Sequence, residues 1–126
     1  MPTVTTFYAS LVTLLLVWLS INIIKSRQRF KITLGDGNNP RLKLAISAHA
    51  NAAQYIPIAL LLMLLLELNQ AHSLLLHLFG LCLLAGRLIH ARGILAEHIP
   101  TRVRGMQLTF FVLIGAAAAN LILLIF

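Results

Sequence analysis

The residues best suited to chemistry in this chain lie between positions 47 and 57. Ser47, His49, Asn51, Gln54 and Tyr55 stand in a stretch that is otherwise mostly alanine and leucine, and Pro57 follows. Ser47, Asn51 and Gln54 are spaced i, i+4 and i+7, which places them on one face of a helix. Such groups can hold a polar ligand, or they can bond across to a neighbouring helix as a seam. The two roles are compatible. Pro57 carries no N–H, so it leaves the carbonyl of Ala53 without its helical donor, and a kink is expected there. A second pair, Arg87 and His90, is three residues apart and shares one side of its own helix. Arg87 either snorkels towards headgroups or turns inward to an acidic group or an anion, which a guanidinium matches in bidentate fashion.

Other chemistries lack their residues. The five histidines, His49, His72, His77, His90 and His98, form no recognised metal signature. His72 and His77 are five apart, a poor spacing for one helical face, and no metal site is expected. Cys82 sits alone in an apolar run, so there is no intrachain disulfide and its thiol is expected to be inert. No Ser-His-Asp or Cys-His pattern and no phosphate loop is present. Glu67 is expected to end its helix at an interface, and Asn22 and Asn120 to serve packing or interfacial roles.

The elements that must position these groups are membrane spans. Hydrophobic residues make up 60% of the chain and charged ones only 10%, with a mean hydropathy of +0.92. A soluble domain carries roughly 25% charged residues. Four apolar segments run over about Phe7–Ile24, Leu42–Leu68, Ser73–His90 and Gln107–Phe126. A span needs around 20 apolar residues, and backbone groups in lipid must be bonded within the segment, so each is expected to be a helix. The chain reads as one all-α domain over residues 1–126, a bundle of four transmembrane helices. Basic residues follow the first apolar run rather than precede it, which fits a retained helix and not a secretory leader.

The net charge of +7 would suit nucleic acid in a polar chain. Here it reports topology and the anionic lipid surface, so membrane lipids are the expected partner and nucleic acid is not. Six basic residues, from Lys25 to Lys43, lie between spans one and two. Arg87, Arg92, Arg102 and Arg104 surround the link between spans three and four. The N-terminus, the Asn69–His72 turn and the C-terminus have none. The positive-inside rule then puts the two basic loops in the cytoplasm and both termini outside. Gly35-Asp36-Gly37-Asn38-Asn39-Pro40 is turn chemistry that ends with a helix-opening proline. The short polar link after span two predicts an antiparallel hairpin. Gly93 is expected to end helix three, and Glu97-His98-Ile99-Pro100 to break the chain before span four.

Ala48-His49-Ala50-Asn51-Ala52-Ala53-Gln54-Tyr55-Ile56-Pro57, followed by a leucine-rich run, resembles the MAPEG family, the membrane-associated proteins in eicosanoid and glutathione metabolism. Gly86-Arg87-Leu88-Ile89-His90-Ala91-Arg92-Gly93 looks like that family's helix-three motif, and Arg104-Gly105-Met106 is similar to bacterial members in particular. The resemblance implies a homotrimer in a bacterial inner membrane. It also implies glutathione as cosubstrate, lying between subunits, and a transferase or peroxidase acting on small lipophilic electrophiles. On this resemblance Asn51, Gln54 and Tyr55 would hold glutathione, with Arg27, His49, Arg87 and His90 beside them. Arg102, or alternatively Arg104, would stabilise its thiolate. Three positions depart from the family pattern. Gln54 stands for a glutamate, Ser47 for an arginine, and Ile94 for a tyrosine found in several eukaryotic members. The alternative implied reading is a non-catalytic relative that binds a lipid or a fatty-acid-like ligand.

Overall fold

The computed structural model describes residues 1–126 as four helices: α1 (Thr3–Phe30), α2 (Pro40–Leu68), α3 (Ser73–Leu95) and α4 (Ile99–Ile125). All four are long and apolar enough to cross a membrane. Together with the composition, this makes the chain a four-span integral membrane protein. α2 and α3 form the central hairpin; α1 packs on both, α4 packs on both, and α1 and α4 do not touch. At 1.5 Å per residue, the 28 residues of α1 reach about 42 Å, well past a hydrocarbon core of roughly 30 Å. Its last turns, with Lys25, Arg27 and Arg29, therefore stand clear of the acyl chains.

The turns form where the sequence puts its turn residues. α1 closes on Lys31 in the left-handed region, and Gly35, Gly37 and Asn38 also have positive φ. The Asn39 side chain caps α2 by accepting from the Leu42 N–H at 3.0 Å, and Pro40 fills the first turn, where its missing donor costs nothing. Both ends of the α3–α4 link differ from expectation. Gly93 does not end α3; it is buried inside the helix, where a Cβ would collide with the backbone of Arg102. The break itself comes at Glu97, the first residue of the expected Glu97–Pro100 break, with a φ of +55°. α4 then starts at Ile99, two turns ahead of the apolar run, because His98 caps it and Pro100 suits its first turn. Arg102 and Arg104 thus lie on a helix and not in a loop. α2 is one continuous helix through Pro57, which faces outward.

Small residues set the packing. α2 buries Ala45, Ala48, Ala52 and Ala59 along one stripe, and α4 buries only Gly105, Thr109, Val112 and Ala116. Without a hydrophobic drive between helices in lipid, close backbone approach supplies the attraction. A Cβ on Gly105 would collide with the backbone of His90, so α3 and α4 meet there at glycine distance. At the opposite end, Glu67 does more than end α2. Its two carboxylate oxygens accept from the backbone N–H groups of Val4 at 2.8 Å and Thr5 at 2.7 Å. An α2 side chain thereby caps α1, where free N–H groups and the helix dipole both favour an anion.

Candidate functional site

The polar centre of the bundle is built on Arg87. Its position on α3 faces α2 on one side and α4 on the other, because Gly86 lets α4 approach closely at the Leu108 side chain and the Gly105 carbonyl. Arg87 is 1% exposed, so it turns inward and does not snorkel. From α2 it takes Asn51, whose Oδ1 accepts from Nη2. From α4 it takes Thr109, whose Oγ1 accepts from Nη1 at 3.3 Å, and it lies 3.6 Å from the Met106 sulfur. His90 Nδ1 is 3.1 Å from Nη2. The guanidinium also stands 6.0 Å from the centre of the Tyr55 ring, a cation–π distance. None of these partners is a carboxylate.

Two buried nitrogens of this cluster have no partner: Nε of Arg87 and Nε2 of His90. A buried donor without a partner costs of order 1–3 kcal/mol, more where the group is charged. The cluster has further consequences for Asn51. Because Oδ1 accepts from Arg87, the amide nitrogen of this half-buried side chain is left to donate elsewhere. Tyr55, half-buried, packs edge-on against Phe110 of α4 at 5.8 Å between ring centres.

The remaining residues named from the sequence fall outside this cluster. Ser47 and Gln54 are exposed on the outer face of α2, and His49 is half-buried on a different side of that helix. Arg102 and Arg104 are exposed on the first turns of α4. The backbone of Arg102 lies against Gly93, one turn beyond His90. Arg27 is spent locally: its Nη1 donates to the carbonyl of Gly35 at 2.8 Å and of Ile32 at 3.4 Å, stapling the loop after α1. Within one protomer Arg27 and Arg102 sit on helices that do not touch. The chain thus gathers Asn51, Tyr55, Arg87 and His90 and leaves the other candidates outside the cluster, Ser47, Gln54, Arg102 and Arg104 exposed and Arg27 and His49 half-buried. Thr109 was not singled out from the sequence, and Met106 only within the Arg104-Gly105-Met106 match and with no role; a threonine inside an apolar run was the one available sign.

A family model described as "MAPEG family" matches residues 5–122. The chain belongs to the MAPEG family. It is similar to "Inner membrane protein YecN" of Escherichia coli strain K12, with 40% identity over 118 residues, covering 94% of this chain and 90% of the relative. The YecN protein of E. coli O6:H1 strain CFT073 matches to the same extent. Neither relative's name carries an activity.

Proposed function

We propose that this protein is a glutathione-dependent transferase of the inner membrane, acting on lipophilic electrophiles, with its site completed by a second and third copy of the chain. One observation carries the reading: Arg87 takes the carbonyl oxygen of Asn51 and stands over the Tyr55 ring, which leaves the Asn51 N–H groups to donate elsewhere, one turn from the exposed amide of Gln54. Amides with free N–H groups at membrane depth need a partner, and lipid tails offer none. A neighbouring subunit with a bound polar ligand does.

The donor set fits the anionic parts of glutathione. Asn51 donates to a carboxylate or carbonyl, and Arg102 and Arg104 supply charge at the basic end of the bundle. Gln54 offers a carbonyl oxygen to the ammonium group where a glutamate would offer charge. Glutathione supplies a thiol, which reacts as its thiolate and is mostly protonated at neutral pH with a pKa of about 8.5. Arg102 favours the thiolate electrostatically, and the low dielectric beside the bilayer strengthens that effect. The family resemblance also supports the inner membrane as location, as does the name of the relative.

Glutathione titrated into the purified protein in nanodiscs tests this reading by calorimetry and by thiolate absorbance. Arg102→Ala is expected to reduce thiolate absorbance more than binding, and Asn51→Ala to weaken binding itself. Absence of binding at millimolar glutathione overturns the proposal. The alternative, a non-catalytic lipid-binding relative, draws on Ile94. Its side chain is 4% exposed and offers no hydroxyl at a position where several relatives have one.

A further inference from the structure

A second polar region lies away from the Arg87 cluster, at the basic end of the bundle between α1, α2 and the end of α3. Asn22, Lys25, Ser26 and Arg29 follow i, i+3, i+4 and i+7, so one face of α1 carries all four. They line a cavity of about 450 Å³ together with Arg41 at the start of α2 and Glu97 after α3. Three cations therefore face one carboxylate. Asn22 and Ser26 add neutral donors deeper along the helix. None of the residues assigned above to glutathione lines this cavity.

Directly beneath it runs an apolar groove of about 550 Å³ between α1 and α3, formed by Leu15, Trp18, Leu88, Ala91 and Leu95. Arg92 also lines it. The two spaces adjoin at Leu95, which lines both. Trp18 and Arg29 are eleven residues apart on α1, about 16 Å along the axis. That offset sets a charged site at headgroup depth above an apolar slot at acyl depth. Trp18 marks the passage between them, as indoles do at membrane interfaces.

We propose that each protomer binds one anionic phospholipid here, with its phosphate among Lys25, Arg29 and Arg41 and an acyl chain along the α1–α3 groove. The occupant is anionic because the cavity has two more cations than carboxylates, and a zwitterionic headgroup would bring an ammonium into that field. It is a lipid and not a soluble anion because the groove opens within the membrane span and needs apolar filling.

Native mass spectrometry of the purified protein, titrated with phosphatidylglycerol, phosphatidylethanolamine and phosphatidylcholine of matched chains, tests the site. Phosphatidylglycerol is expected to be retained preferentially. Arg29→Gln with Arg41→Gln should weaken its retention by about fivefold per charge removed, with no effect from Lys43→Gln, which is exposed outside the cavity. Leu88→Trp, which fills the groove, should also weaken it. Should the double variant fail to fold, Lys25→Gln alone carries the fivefold expectation. Equal retention of the three lipids overturns the proposal, as does an equal loss in Lys43→Gln. Inorganic phosphate displacing the lipid at its own molar affinity would show that the groove contributes nothing, and overturns it too.

Discussion

Arg87 shows how much one side chain can organise in lipid. It bridges α2 through Asn51 and α4 through Thr109, so its planar guanidinium links two helices at once. A lysine offers a single point of donation on a flexible stem and cannot span both. Arg87→Lys is therefore expected to lower stability by about 1.5–3 kcal/mol, the worth of a hydrogen bond to a charged group. Thermal unfolding in detergent reads this directly, and an unchanged melting temperature would remove the bridge from the account. The same bridge orients Asn51, so Arg87→Lys should also weaken glutathione binding while the free energy of lipid retention stays as it was. At the position the family gives to a glutamate, Gln54→Glu restores the charge. It is expected to tighten glutathione binding by up to about tenfold, as a hydrogen bond gains roughly 1 kcal/mol or more when one partner is ionised.

Among the elements, α3 and α4 depend on glycine contact. Gly105→Ala adds a single methyl where the His90 backbone stands, and neither backbone can yield without separating the helices. A loss of about 1–3 kcal/mol is expected, with the Arg87–Thr109 bond disturbed as well. Gly35 makes the contrast: a Cβ there meets nothing, but its φ of +68° disfavours any other residue. Gly35→Ala should cost only about 1–2 kcal/mol and leave the bundle's interior untouched. These elements were readable in the sequence to unequal degrees. Four spans, the turn from Gly35 to Pro40 and the basic end followed from composition and spacing. The true helix lengths did not, because hydropathy marks only the part of a helix that lies in lipid. α1 continues through Lys25–Phe30 and α4 begins at Ile99, beyond any apolar signal. The direction of Arg87 was likewise open, since snorkelling and inward burial have the same sequence and differ only in what α4 brings against it. The cap on α1 by Glu67 joins residues more than sixty positions apart, and nothing local announces it.

For the whole molecule, the surface of a single protomer carries side-chain groups that acyl chains cannot satisfy. Ser47 and Gln54 are exposed on α2 at membrane depth, and the hydropathic part of α4 has only 17% of its residues buried within the chain. Aliphatic and aromatic groups such as Phe110, Phe111 and Ile114 are content in acyl chains, but an amide is not. The α2 face is therefore the one expected to meet another protein surface, and in the proposed assembly the packing of copies about it would hide Gln54 and Ser47 together. A trimer is the expected state, with a mass three times 13.9 kDa after correction for detergent. Light scattering coupled to size exclusion measures it. Gln54→Leu makes the same face acceptable to acyl chains and should weaken the trimer, whereas Gln54→Arg places at each copy of the interface a desolvated cation that, unlike a glutamate, has no glutathione ammonium to pair with, and should dissociate it. A monomeric wild type, or a trimer indifferent to Gln54→Arg, would place that face against lipid and force a different explanation for its amides.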